Sequence, residues 1–176
     1  MTPRTRRRAG WAGWAVLLVA ALVCGLGAWS YGQARGDRSL SYAKARDTAL
    51  ADGRRHLATL NSLDGENAKR VDDGLRAWLD SSTGPLRDQL ERTRKADAKS
   101  LTAAGDTARG KVTSAALTAL DERTGTAELI ATVDVAVTPR TGAPGTQRKR
   151  FGATLARTAD GWKVKALTAI GTGGGR

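Results

Sequence analysis

The stretch Ala127-Glu-Leu-Ile-Ala-Thr-Val-Asp-Val-Ala-Val137 decides the fold of this 176-residue chain. Its apolar side chains recur at every second position, which is the period of a β-strand with one buried face. A helix instead brings together residues three or four positions apart. The segment therefore predicts a strand packed on one side, with these residues facing the core: Leu129, Ala131, Val133, Val135 and Val137.

Further strands are expected on both sides of this segment. Residues 138–146 contain two prolines and two glycines and predict an exposed loop. Residues 147–157 alternate again, and Asp160-Gly161 is a hairpin turn into a last strand at 162–170. Residues 111–120, rich in Ala and Thr, predict a weaker first strand. Together they predict a meander of about four antiparallel strands, whose third member points these residues inward: Phe151, Ala153 and Leu155.

Helical spacing precedes the strands. Apolar residues recur at helical intervals in residues 39–60, 68–79 and 83–103. The breaks between these helices, at 61–65 and 81–85, are rich in turn-forming residues. Helices followed by a meander predict an α+β fold, with the helices packed on one face of a curved antiparallel sheet. The third helix is expected to turn three leucines inward: Leu86, Leu90 and Leu101.

Residues 9–34 form an uncharged, largely apolar stretch near the N-terminus. A helix from Trp11 to Trp29 is roughly 27 Å long, close to the thickness of the hydrocarbon core of a bilayer. Amphipathic rings favour the two headgroup levels of a membrane. Such rings stand at both ends of the stretch, which predicts a single transmembrane helix: Trp11, Trp14, Trp29 and Tyr31.

A cluster of three arginines comes directly before the apolar stretch: Arg6, Arg7 and Arg8. Because positively charged flanks stay in the cytoplasm, the N-terminus is expected inside the cell and the bulk of the chain outside. Gly32-Gln-Ala34 offers small residues that suit signal-peptidase cleavage, so a removed signal peptide is the alternative. The stretch is longer than the apolar core of a signal peptide, which favours a retained anchor. In both cases the domain is expected to be extracytoplasmic.

The expected organisation of the chain has five parts. Residues 1–8 are a basic cytoplasmic tail, and residues 9–34 are the membrane helix. Residues 35–60 are a stalk with the first helix, residues 61–171 are the remainder of the outer α+β domain, and residues 172–176 are a disordered tail.

The formal net charge of +12 is partly a consequence of the arginines beside the apolar stretch. After Arg35, 24 basic residues are interleaved with 17 acidic ones, and aromatic residues make up 5% of the chain. Nucleic-acid binding uses a continuous basic surface and rings on which bases stack, so the composition argues against it. Anionic lipid headgroups are a better partner for this charge. The single cysteine, Cys24, lies in the apolar stretch, which leaves the outer domain without disulfides or thiolate sites.

Three short segments carry a family resemblance: Leu60-Asn-Ser-Leu-Asp64, Leu79-Asp-Ser-Ser-Thr-Gly84 and Asp160-Gly-Trp-Lys163. In this order, after one anchor, they make the chain similar to the actinobacterial Mce-associated membrane proteins over residues 9–170. The matching positions are Leu60, Asn61, Asp64, Leu79, Thr83, Gly84 and Trp162.

The resemblance implies a cystatin-like or ketosteroid-isomerase-like cone domain. It also implies an accessory role beside Mce complexes that import lipids or sterols. The implied fold is in addition similar to the periplasmic domain of an inner-membrane component of type IV secretion and conjugation machines.

No segment has a specific catalytic or metal-binding pattern, and no cofactor is expected. His56 is the only histidine, so the chain cannot form a cluster of imidazoles. Asp134 projects from the opposite face of the strongest strand and is the candidate for a general base. A base in a cone-shaped enzyme of this type works together with a Tyr or Asp that donates to the oxyanion. The only tyrosine of the outer domain is Tyr42. We therefore expect Asp134 to pair with a neighbouring Arg or Lys, and we interpret the chain as non-enzymatic.

Three functions remain open on the sequence. The favoured one is a membrane-anchored accessory protein of the cell envelope that docks on an Mce-type import complex. The second is an assembly component of a conjugation or type IV-like secretion channel. The third is a small-lipid-binding cone, which requires an open apolar cavity lined by Leu129, Val133 and Phe151.

Overall fold

The computed structural model describes residues 39–171 of the chain. Among these residues no helix has both the length and the hydropathy needed to cross a bilayer. The chain divides into two compact units, Met1–Ala43 and Lys44–Arg176, and the second carries the fold. Three of the predicted parts lie outside the described residues: 1–8, 9–34 and 172–176.

Residues 39–171 contain three helices and five strands, in the chain order α1-β1-α2-α3-β2-β3-β4-β5. Helix α1 covers residues 39–60, α2 covers Ala68–Ser81 and α3 covers Gly84–Ala104. The strands form one antiparallel sheet in the order β1-β2-β3-β4-β5. The α+β prediction is therefore confirmed, with strands at Leu63–Asp64 (β1), Thr107–Asp121 (β2), Thr126–Thr138 (β3), Gly145–Thr158 (β4) and Gly161–Ala169 (β5).

Strand β3 follows the predicted alternation. Leu129, Val133 and Val135 are at most 4% exposed, and Val137 is partly buried near the strand end. Strand β4 pairs with β3 along its length, and all three of its predicted inward residues are buried. The period-two pattern located these strands because a half-buried sheet exposes alternate side chains to water.

The sheet has five strands where about four were predicted. The additional strand β1 lies in the segment predicted as a turn, and it pairs with Thr107 and Ala108. Gly65 permits this pairing, because a Cβ at that position would lie 2.3 Å from the carbonyl oxygen of Asp106. Two residues are too few to show an alternation. The pairing partner also explains why β2 begins four residues before the predicted Lys111.

Strand β2 contains two register irregularities, between Val112 and Ser114 and between Leu117 and Ala119. An extra residue at each bulge bends the strand and resets which side chains face the core. As a result Leu117 and Leu120 both face the core, at odd spacing, and pack against its buried residues. The bulges account for the weak alternation of this strand in the sequence.

The core lies between the sheet and the first two helices. Ala49 and Leu57 of α1 are completely buried against the sheet, and Leu75 of α2 is 3% exposed. Burial of one leucine side chain stabilises the fold by about 1.5–3 kcal/mol. Helix α3 differs, because none of its residues is fully buried. The three leucines predicted to point inward from it are only partly buried, since α3 covers the outside of α2 and the edge strand β5.

Candidate functional site

An open groove of about 720 Å³ lies at the edge of the sheet where α1 ends. Its walls come from the last turn of α1, from β1, from α2 and from the start of β2. Representative lining residues are Ala58, Leu63, Arg70, Ala77 and Gly110. The groove is larger than two other concavities formed by residues 39–171, of about 470 and 440 Å³, and it is the candidate functional site.

The end of α1 forms one wall of the groove, and side chains satisfy its last carbonyl groups. Asn61 Nδ2 donates to the Leu57 carbonyl at 2.8 Å. Ser62 Oγ donates to the Ala58 carbonyl at 2.8 Å and accepts from the Gly110 N–H at 2.9 Å. Because helix ends leave carbonyls without intrahelical donors, these bonds fix where α1 stops and attach it to β2.

Helix α2 is attached to the same place through Trp78. Its indole Nε1 donates to the carbonyls of Thr59 and Ser62 at 3.0 and 2.9 Å. Gly74 allows α2 to lie close to β1, because a Cβ at position 74 would lie 2.6 Å from Leu63 Cδ1. The groove is therefore a fixed feature of the packing and not a gap between loosely held elements.

Asp64 is one of the charged residues that line the groove. It accepts from the Glu66 N–H at 3.0 Å and forms an ion pair with Arg70 at 2.5 Å. The hydrogen bond from Arg70 is the main reason that the pKa of Asp64 lies below its usual range. A carboxylate held ionised in this way is a turn-forming and pairing residue, and it is a poor general base.

The family-like positions fall into two separate places. Leu60 and Asn61 lie at the end of α1, where Leu60 packs against the core, and Asp64 of β1 lines the groove. The remaining four lie where the break between α2 and α3 meets β5. There the Thr83 N–H donates to the Val164 carbonyl at 2.9 Å, and Gly84 has a φ of +53°. The second group is Leu79, Thr83, Gly84 and Trp162.

The predicted anchor residues lie outside the described part of the chain. They are Arg6, Arg7, Arg8, Trp11, Trp14, Trp29 and Tyr31. Their proposed membrane role therefore stays a prediction.

The three residues expected to line a lipid cavity are core residues. Leu129 is 1% exposed, Val133 is completely buried and Phe151 is 8% exposed. Leu129 packs in the main cluster between α1 and the sheet, and the other two pack with Val135. Because neighbouring side chains occupy the space between them, they do not form a cavity.

Asp134 and His56 have structural surroundings. Asp134 accepts two hydrogen bonds from Arg148, at 2.7 and 3.0 Å, which confirms the predicted pairing. Arg148 is the main reason that the pKa of Asp134 lies below its usual range. His56 is half-buried, and burial followed by the charge of Arg55 lowers its pKa. Within residues 39–171, no three His, Cys, Asp or Glu side chains form a potential metal site.

Asp52 is a key residue that the sequence pattern did not identify. It is 9% exposed, and its Oδ2 accepts the backbone N–H of Trp162 at 3.1 Å. Oδ1 accepts from Arg55 at 2.9 Å. In the sequence, helical spacing places Asp52 on the same face of α1 as Ala49 and His56. An acidic residue on that face was the signal that could have identified it. This bond attaches α1 to the β4–β5 hairpin.

The fold is similar to that of several solved structures. No protein-family model matches the chain, and no curated protein matches it. Among solved structures, CagV, a VirB8 homologue of the type IV secretion system of Helicobacter pylori strain 26695, aligns with a TM-score of 0.52. The two sequences are 12% identical, and the alignment covers 70% of this chain and 97% of CagV.

Two further solved structures align in the same way. A periplasmic fragment of TraM has a TM-score of 0.55 at 12% identity, covering 72% of this chain and 97% of the fragment. The periplasmic domain of DotI has a TM-score of 0.50 at 13% identity, and the alignment covers 69% of this chain and 91% of the DotI domain. At these identities the likeness concerns the fold: the α+β domain of this chain is built like the periplasmic domains of TraM and DotI.

Proposed function

We propose that this chain is a non-enzymatic, membrane-anchored docking component of an extracytoplasmic secretion complex, of the type IV kind. The observation that carries the proposal is the filled interior of the domain. A small-molecule site is a cleft or cavity that buries most of the surface of its ligand. Here the space between the sheet and the helices is occupied by Leu129, Leu155 and Val133, which are at most 1% exposed. What remains for function is the surface, where the groove is a concavity of about 720 Å³.

The likeness to solved domains supports this choice among the functions open on the sequence. The type IV component CagV shares the fold, and so do the periplasmic portions of TraM and DotI. None of these three likenesses concerns an Mce-type importer. An extracytoplasmic domain on one anchor fits the expected topology and keeps the docking surface close to a membrane complex.

Photocrosslinking from the groove tests the proposal in the native host. A photoreactive amino acid replaces Ala77, which lines the groove on α2. The matched control replaces Ala96, an exposed alanine on α3. We expect adducts with subunits of a secretion channel from position 77 and few or none from position 96. Adducts with an importer subunit, or none at all, would contradict the proposal.

A pair of substitutions gives the functional readout. Ala77→Arg fills the groove with a bulky cation, whereas Ala96→Arg adds the same side chain to an exposed helix surface. We expect Ala77→Arg to abolish the transfer of DNA or protein, although the variant accumulates to the normal level and keeps its thermal stability. Ala96→Arg should leave transfer unchanged. Unchanged transfer together with impaired lipid uptake would favour docking on an Mce-type importer instead.

A further inference from the structure

Two edges of the sheet are closed to further strands. On the outer side of β5, the Thr83 N–H donates to the Val164 carbonyl at 2.9 Å, and α3 packs beside this strand. On the outer side of β2, only two residues pair with β1, and the rest of the strand contains two register irregularities. Bulges of this kind bend an edge and protect it against the addition of another strand.

A further edge is open, and it belongs to β4. Strand β5 ends at Ala169, which lies opposite Phe151. The next residue, Ile170, donates its N–H to the Arg150 carbonyl at 2.9 Å. Strand β4 continues through residues 145–149, and no strand in the described part of the chain pairs with their β5 side. We call this side of residues 145–149 the free edge.

The free edge presents backbone donors and acceptors in regular strand geometry. The bond from Ile170 shows that the backbone groups of Arg150 point to the β5 side. Because successive residues of an antiparallel strand direct these groups to alternate sides, the N–H and C=O of Thr146 and Arg148 point to the free edge. The other side of residues 145–149 pairs with β3 without a register shift. The free edge can therefore continue the sheet.

The side chains along the free edge are basic. Arg148, Lys149 and Arg150 follow one another, and residues 145–150 are exposed and include no carboxylate. Asp134 accepts two hydrogen bonds from Arg148 and offsets its charge. Lys149 and Arg150 form no ion pair with any other described residue. Charges on an edge repel a strand of the same sign, so a second copy of this edge is disfavoured and an acidic strand is attracted.

We propose that the free edge binds an extended acidic segment of a partner protein as an added strand. Thr146 and Arg148 supply the backbone hydrogen bonds, and such main-chain pairing provides affinity without a pocket. Carboxylates of the added strand lie opposite Lys149 on one face of the sheet and opposite Arg150 on the other, where cross-strand pairs of opposite charge stabilise the pairing. This inference does not rest on the groove, which lies on the β1 side of the sheet.

The length of the free edge limits the affinity. Residues 145–149 span about 17 Å at the rise of an antiparallel strand. An unstructured peptide also loses conformational entropy when it is ordered on the edge. We therefore expect a Kd on the order of 10–100 µM for a short peptide. The affinity should fall as salt is added, because exposed charges are screened.

The competing occupant is the chain's own segment 172–176, which follows β5 in the sequence. This segment reads Thr-Gly-Gly-Gly-Arg. Glycine is depleted in strands, and the arginine has the same sign of charge as the side chains of the free edge. An acidic partner therefore fits the free edge better than this segment does.

Fluorescence anisotropy with the purified full-length chain in detergent tests the proposal. The probe is a labelled peptide of about eight residues, long enough for one strand, with alternating threonine and glutamate. One control peptide has lysine in place of glutamate, and a second carries a methyl group on every backbone nitrogen, which keeps the charges and removes the N–H donors. We expect only the probe to bind. No binding at about 1 mM probe, or equal binding of either control, would overturn the proposal.

Two sets of variants locate the binding on the free edge. Thr146→Pro removes an N–H that points to the free edge and leaves the ladder to β3 intact, so it should weaken binding about tenfold. Reversal of two charges, in Lys149→Glu/Arg150→Glu, should abolish binding of the probe and create binding of the lysine peptide. The matched control reverses two exposed lysines of α3, in Lys95→Glu/Lys99→Glu. Equal effects of the two charge reversals, or unchanged binding by Thr146→Pro, would contradict the proposal.

Removal of residues 172–176 separates the partner segment from the competing occupant. The shortened chain should bind the probe with an affinity within about twofold of the full-length chain, because an edge that is already open gains nothing from the deletion. A gain of about tenfold or more would assign the free edge to residues 172–176 and would overturn the proposal.

Discussion

Replacement of Asp52 by alanine should separate α1 from the β4–β5 hairpin and destabilise the domain by about 3 kcal/mol. Asp52 Oδ2 accepts the Trp162 N–H at 3.1 Å, and Trp162 is 2% exposed. A hydrogen bond to a charged group contributes about 1.5–3 kcal/mol. Its removal also leaves a buried N–H without an acceptor, which costs about 1–3 kcal/mol. The two effects overlap, so about 3 kcal/mol is a central value.

Two further variants separate the parts of this effect. Asp52→Asn keeps an acceptor for Trp162 and loses only the ion pair to Arg55, whose side chain is 64% exposed. Exposed ion pairs contribute at most about 1 kcal/mol, so the asparagine variant should lose about 1 kcal/mol. Asp47→Ala removes an exposed carboxylate from the same helix and should change stability by less than about 0.5 kcal/mol.

Thermal unfolding followed by near-ultraviolet circular dichroism measures these differences. For a domain of this length, 3 kcal/mol corresponds to a fall in Tm of roughly 10 °C. The order of loss should be Asp52→Ala, then Asp52→Asn, then Asp47→Ala. If Asp52→Ala were as stable as Asp47→Ala, the bond to Trp162 would contribute nothing, and the attachment of α1 to the hairpin would need another cause.

Two other predictions concern the groove edge and the behaviour of the domain with pH. Gly65→Ala should destabilise the domain by about 2 kcal/mol or more, because the new Cβ would lie 2.3 Å from the Asp106 carbonyl oxygen; Gly145→Ala, whose Cβ meets nothing within 4 Å, is the control, and equal urea midpoints would refute the reasoning. His56 has a pKa below its ordinary 6.5 in the folded protein, so the unfolded chain binds the proton more readily. The free energy of unfolding should therefore fall as the pH drops below about 6.5 towards the folded pKa. His56→Gln should flatten the fall in urea titrations, and an identical slope in both proteins would contradict the assignment.

Local periodicity explains which parts of the fold could be predicted. Strands β3 and β4 alternate regularly because one of their faces is buried along its whole length. Helix α2 shows its buried face as Val71, Leu75 and Leu79, at the four-residue spacing of a helix. Where a pattern was interrupted, the prediction was incomplete: β2 was predicted four residues short at its beginning, and β1 was missed. The bulges of β2 removed its alternation, and the two residues of β1 were too few to have one.

The candidate site was predictable only in part, for the same reason. Asn61 and Asp64 were identified as a break between helices, and this break forms one wall of the groove. The other walls come from α2 and from β2, whose Gly110 contributes the N–H that Ser62 accepts across 48 positions of the chain. No local sequence pattern predicts that these segments contact one another.

By itself, the sequence determined the class of the fold and the identity of its strongest strands, because alternation and helical spacing record which side chains leave water. It also led us to predict that catalytic and metal-binding sites are lacking, because these require residue types in defined numbers. Only the tertiary structure decided that Leu129, Val133 and Phe151 fill the interior, that α3 buries none of its residues, and that Asp52 meets Trp162 across 110 positions. Such contacts depend on how elements stack in space, and stacking leaves no period along the chain.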